Sequence, residues 1–140
     1  MKTKYTAHAT STGGRTGHAE TDDGRVAVIL SVPRELDGDG GPGTNPEQLF
    51  ALGYSSCFWG AMKNAARRLG KKLPTESTVS ATISYIDRED GVGATIGAEL
   101  TAHVPAMDLT EVEEVMALAH TICPYSHLIT HAGEVKLSAV

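Results

Sequence analysis

The feature that most constrains this chain is the stretch from Gly43 to Gly70, GTNPEQLFALGYSSCFWGAMKNAARRLG, which carries start, body and stop signals for one long helix. Thr44 or Asn45 can cap it, Pro46 suits a first-turn position where no donor is needed, and Gln48 can close a capping box on Asn45. Gly70 supplies the stop. Between these ends Leu49, Phe50, Leu52, Cys57, Phe58, Trp59, Met62, Ala65, Ala66 and Leu69 cover nearly the whole circumference until Lys63, Arg67 and Arg68 enter. A helix apolar all round belongs inside a protein, so the rest of the chain is expected to pack about it. With 140 residues, 41% of them apolar, there is material for one domain spanning 1–140.

The flanks read as strands. Tyr5, Ala7 and Ala9 alternate with polar residues, Ser11 to Gly17 is a glycine-rich turn with Arg15 at its tip, and His18 to Thr21 returns towards an Asp23-Gly24 turn. Val26, Val28, Leu30 and Val32 share one face of a strand that Pro33 ends. The segment 33–43 (PRELDGDGGPG) reads as a loop lying near a site. After the helix, Val79, Ala81, Ile83 and Tyr85, then Ile96, Ala98, Leu100, Ala102 and Val104, predict a long antiparallel hairpin with one buried face. A second helix is expected from a Thr110/Glu113 capping box to Cys123, where Pro124 breaks it. A short helix over 125–131 and a last strand through Val135, Leu137 and Ala139 complete an α+β domain with mostly antiparallel sheet.

The net charge of −5 is offset by no basic patch beyond the helix-end run Arg67, Arg68, Lys71 and Lys72, which argues against a nucleic-acid partner. No run approaches the length of a membrane span and the first residues lack the apolar core of a signal peptide, so a cytoplasmic protein is expected. In that compartment two thiols are reduced, metal-bound or redox-active rather than permanently bridged.

Cysteine is by default a small core residue, and Cys57 sits on an apolar helix. Against that default, Ser55 and Ser56 leave room for another molecule to approach, while Phe58 and Trp59 can wall a dry pocket. Cys123 stands at a helix break, too far along the chain for a CxxC motif, although distant thiols can still meet in space. A reactive Cys57 must be a thiolate, and it lies eleven residues beyond Pro46, outside the reach of its own helix dipole. A cation from another element is required. Lys63, Arg67 and Arg68 lie further along the helix; Arg15 and Arg34 come from loops that can fold over it, and Arg15, on the Gly13-Gly14 turn, is the better choice. Its plain reading is a solvated turn arginine, as that of Glu47 is a first-turn acid facing the dipole; functionally Glu47 can hold an arginine through a bidentate pair.

GGR at 13–15, the block over 33–63 containing NPEQLFALGYSSCF, and AHTICPYSH at 119–127 resemble the signature regions of the organic hydroperoxide resistance proteins, the thiol peroxidase branch of the OsmC-like family. The similarity covers almost the whole chain. It implies Cys57 as peroxidatic thiol, Cys123 as resolving thiol, Arg15 as activating cation and Glu47 as its orienting carboxylate. It also implies an intertwined homodimer with the long helices at its centre, an organic hydroperoxide as substrate, and a lipoyl-bearing protein as the dithiol reductant, with no cofactor or metal. Phe58, Trp59, Met62, Tyr125, Leu128 and Ile129 are candidates to bind an alkyl or fatty-acyl group, against an equally good reading as core.

Helix arithmetic adds one constraint. Glu47 and Cys57, ten residues apart, are separated by ~15 Å along a continuous helix. One arginine meets both comfortably only if the helix breaks, for which Gly53 is a place, or if Glu47 comes from a partner subunit. Two other classes stay open: a metal module using His120, Cys123, His127 and His131, and a non-catalytic OsmC-like ligand-binding or structural dimer.

Overall fold

The computed structural model describes residues 1–131 and 133–140. The chain forms two compact units, Met1–Leu49 and Phe50–Val140. In the first, β1 (Ala9–Thr12), β2 (His18–Thr21) and β3 (Ala27–Ile29) make an antiparallel sheet in the order β1-β2-β3. The β1–β2 connection is a 3-10 turn over Gly14–Thr16 that needs its glycines: Gly13 and Gly14 have φ of 77° and 56°, and a Cβ on Gly17 would lie 1.8 Å from the Thr12 carbonyl oxygen. Sequence alternation placed Tyr5 and Ala7 in the first strand, but the ladder begins only at Ala9, opposite Thr21. The third strand is likewise shorter than Val26 to Val32, because at Leu30 the chain turns to pair with Thr44.

The long helix is α1 (Pro46–Arg68). Asn45 caps it, its Oδ1 accepting the Gln48 backbone N–H at 2.8 Å, while the Gln48 side chain accepts a bond from the Thr44 hydroxyl instead of closing the expected box. At the other end Gly70 takes φ 69° and the Lys71 N–H bonds the Ala66 carbonyl at 2.8 Å, a Schellman-type stop.

In the second unit β4 (Thr78–Asp87) and β5 (Ala94–His103) pair antiparallel over their full lengths, from Thr78↔His103 to Asp87↔Ala94. Then come α2 (Leu109–Ile122) and α3 (Pro124–Thr130). The core is the α1 stripe Tyr54, Phe58, Met62 and Ala65 closed by Val112, Val115 and Ala119 of α2, with Val79, Ala81, Ile83, Leu100 and Ala102 of the hairpin against it. The α+β class with antiparallel sheet is therefore the one expected from the sequence.

Three local expectations are corrected. α1 buries one face within the chain and leaves Leu52, Ser56, Gly60, Lys63 and Arg67, spaced three to four apart, exposed. α2 starts two residues earlier than expected: Asp108, not Thr110, is its N-cap residue, and its carbonyl accepts the Val112 N–H. No strand forms through Val135, Leu137 and Ala139; Val135 and Leu137 are 78% and 91% exposed, since alternation alone cannot make a strand without a neighbouring edge to bond. Among the described residues no helix is long and apolar enough to cross a membrane.

Candidate functional site: a thiol pair and an ion pair

Two constellations carry chemistry. In the second unit, α1 presents Cys57 three turns from its start, and Cys123 occupies the corner between α2 and α3 with extended φ and ψ of −65° and 123°. Pro124 imposes that corner, since the residue before a proline is driven out of helical geometry while proline itself suits the first position of α3. Both cysteines are free, and the Cys123 thiol donates to Cys57 Sγ across 3.5 Å. Cys123 is fully buried and Cys57 half-buried.

Burial pushes the Cys57 thiol pKa up, because a thiolate would lose its solvation. The Tyr125 backbone N–H, in the first turn of α3, acts in the opposite sense by bonding the sulfur, and the Cys123 thiol adds to the rise. Sequence reasoning weighed the dipole of α1 and the nearby Lys and Arg side chains and missed this backbone donor from a second helix; the CPY run at 123–125, a proline that starts a helix, was the signal available for it.

Behind the thiols, the Tyr54 hydroxyl and Ser126 Oγ share a buried hydrogen bond of 2.9 Å. Tyr125 packs between Phe50 and Tyr54, with ring centroids 5.5 and 5.7 Å away. Gly53 does not break α1. It makes space, since a Cβ there would sit 2.5 Å from the Tyr125 hydroxyl oxygen.

Of the six residues read as a substrate wall, Tyr125 is the one that bonds Cys57. Phe58 and Met62 are fully buried core. The Trp59 indole N–H donates to the Ser77 carbonyl at 2.7 Å, and the ring lines a groove of about 580 Å³ with Lys63, Arg67 and Leu73. Leu128 and Ile129 are 61% and 47% exposed.

In the first unit the 3-10 turn holds Arg15 against Glu47 of the first turn of α1 in a two-pronged fork, Nη1 to Oε2 at 3.0 Å and Nη2 to Oε1 at 2.5 Å. The guanidinium keeps the Glu47 carboxyl below its ordinary pKa. With the Glu47 side chain only 14% exposed, the pair is more than a solvated surface contact.

His127 and His131 stack with ring centroids 4.3 Å apart. Among the described residues no three His, Cys, Asp or Glu side chains gather as metal ligands, so His120, Cys123, His127 and His131 do not assemble into the alternative metal module.

A mostly antiparallel α+β fold that brings a distant cysteine pair together beside a proline-started helix has close counterparts. Residues 38–138 match the model of the OsmC-like protein family, and the chain belongs to that family. Within it, the chain belongs with the organic hydroperoxide resistance proteins. It is 48% identical over 126 residues to the organic hydroperoxide resistance protein of Xanthomonas axonopodis pv. citri (strain 306), covering 90% of this chain and 87% of that one. With OhrB of Bacillus subtilis (strain 168) it shares 35% identity, covering 95% and 96% of the two chains. The crystal structure of an organic hydroperoxide resistance protein from Legionella pneumophila superposes with a TM-score of 0.84 at 40% identity, covering 91% of each chain. That of a homologue from Elizabethkingia anophelis, with thiocyanate bound, gives 0.85 at 37% identity over 94% and 93%.

Proposed function

We propose that this protein is a cysteine-based peroxidase for organic hydroperoxides, and the observation that carries the reading is the 3.5 Å approach of two free thiols that the sequence holds far apart. The Cys57 thiolate attacks the terminal oxygen of ROOH, the O–O bond breaks, and the alcohol ROH leaves after taking up a proton. Cys57 becomes a sulfenic acid. Cys123 then displaces its hydroxyl as water and the two sulfurs form a disulfide, which halts further oxidation. An external dithiol supplies two electrons and two protons to restore both thiols, and a lipoyl group is the proposed donor. The cycle calls for a reducing compartment such as the cytoplasm, because the resting state is the dithiol.

Burial pushes the Cys57 thiol up, so the reaction requires a cation brought to it. Arg15, held in the fork of Glu47, is the proposed one. Because α1 runs unbroken from Pro46 to Arg68, Glu47 and Cys57 of one chain are held ~15 Å apart along its axis. We therefore propose a homodimer in which the Arg15–Glu47 pair of one protomer serves Cys57 of the other. The exposed Leu52 on α1 and the unpaired alternation at 135–139 support an interface between copies. Of the six apolar residues, Tyr125, Leu128 and Ile129 are the proposed contacts for an apolar R group, whereas Phe58 and Met62 are buried core and Trp59 lines a separate groove.

Thiol titration before and after one equivalent of an organic hydroperoxide tests the reading. The expected result is loss of both thiols per chain; retention of both would leave a non-catalytic ligand-binding or structural dimer.

A further inference from the structure

Phe50, Tyr54 and Phe58 are four residues apart on α1 and form one continuous aromatic stripe, with centroids 5.9 and 6.4 Å apart. A third phenylalanine would fill the middle position as well. The hydroxyl that distinguishes Tyr54 is directed to Ser126 Oγ at 2.9 Å, with Tyr54 only 3% and Ser126 0% exposed. Two buried hydroxyls that satisfy each other make a specific joint, because removing either leaves the other unbonded away from water. The joint's place in the sequence is equally specific. Tyr54 lies three residues before Cys57, and Ser126 three residues after Cys123, so one turn of helix separates each hydroxyl from its thiol.

From this we infer that the Tyr54–Ser126 hydrogen bond is a positioning element that fixes α3 on α1 and thereby sets the Cys123 thiol against Cys57. Cys123 and Tyr125 both reach Cys57, and both lie within three residues of Ser126. The corner is tied to each helix separately, Cys123 N–H to the Ala119 carbonyl at 2.8 Å and His127 N–H to the Cys123 carbonyl at 2.9 Å. Those bonds hold the backbone of α2 and α3 and leave the seating of α3 on α1 to contacts across the helices. The hydroxyl pair is a directional contact at that place, whereas the aromatic rings can slide.

The consequence for resolution of a sulfenic acid rests on the peroxidase reading, but closure of the disulfide can be measured without it. Equilibrating the full-length protein with oxidised and reduced glutathione exchanges one glutathione disulfide and two protein thiols for one protein disulfide and two glutathione thiols. The equilibrium gives the effective concentration of one thiol at the other. Tyr54→Phe and Ser126→Ala should each lower that value by about three- to tenfold, and the double variant should fall no further than the lower single, since each removes the same bond. Val112→Ala is the control: Val112 is 4% exposed in the same core but eleven residues before Cys123, so it should destabilise the fold without moving the thiol equilibrium. If both hydroxyl variants match Val112→Ala, or if their losses multiply in the double variant, the positioning role is wrong. Should Tyr54→Phe not fold, Ser126→Ala against Val112→Ala decides alone. A wild-type protein that loses no thiols to hydroperoxide would sink the peroxidase reading and leave the glutathione measurement to judge this one.

Discussion

The thiol pair and the ion pair solve opposite electrostatic problems. Arg15 and Glu47 meet between a glycine turn and a helix start, and each stabilises the charge of the other, so Glu47 ionises more readily than a free carboxyl. Cys57 and Cys123 meet on the buried side of α1, where desolvation favours the neutral thiol and a single backbone N–H opposes it. With its sulfurs 3.5 Å apart the thiol pair suits the proposed disulfide, and it is poorly placed, by itself, to ionise. The ion pair holds a guanidinium in a fixed orientation beside the carboxylate that balances it, and has no nucleophile. The proposed peroxidase chemistry calls for both a nucleophile and a cation, and the two stand in separate places in the sequence.

The contrast breaks most sharply at the thiols. Cys57→Ser should abolish hydroperoxide consumption. Cys123→Ser should consume about one equivalent and then stop as sulfenic or sulfinic acid, read by peroxide assay and intact mass. Equal bursts in both variants would reverse or remove the assignment.

Next in size is the cation. Arg15→Ala should slow the peroxide step by about 10²-fold and raise the Cys57 pKa, followed by thiolate absorbance against pH in the Cys123→Ser background; Arg34→Ala should do less. An unchanged titration in Arg15→Ala ends its proposed role. Mixing Cys57→Ser with Glu47→Ala chains sharpens the same point. If the pair acts across the dimer, each heterodimer regains one complete site and mixtures show about half the wild-type activity per heterodimer. Confirmed heterodimers no more active than their parents would place the pair in its own chain.

The smallest expected effect is on stability. Glu47 has a depressed pKa in the folded protein, so its contribution is present above the unfolded carboxyl pKa of about 4.3 and is lost as pH falls through the lower folded value. Glu47→Gln should therefore flatten the acid limb of a melting-temperature profile below that pH and lower stability modestly at neutrality. An acid limb identical to wild type would mean that the fork contributes nothing to folding.

How much could be read in the chain varies with the range of the interaction. Asn45, Pro46 and Gly70 marked α1, and Pro124 marked the corner at Cys123, because caps and prolines act within a turn of where they stand. Thr110 and Glu113 offered a capping box that the structure does not use; Asp108, two residues earlier, starts α2. The alternation at 135–139 suggested a strand, and none forms, since a strand's stability comes from a neighbour that pattern cannot supply. The Arg15–Glu47 fork had been a possibility at the level of residue type. For the Tyr125 amide at Cys57 the only trace is indirect, the proline that starts α3, and it does not say which side chain the freed N–H will meet.

By itself, then, the sequence determined the α+β class, the long helix and its limits, the hairpin and the chemical candidates, all of which rest on dihedral preference, capping and the period of apolar residues. Only the tertiary structure decided which face of α1 is buried, that Gly53 makes room for Tyr125 and does not break the helix, and that the two sulfurs stand 3.5 Å apart with a Tyr54–Ser126 bond behind them. The physical reason is one of range. Local signals are fixed by neighbours along the chain, whereas thiols and hydroxyls from α1 and α3 meet through the packing of helices against a common core, to which every residue of that core contributes.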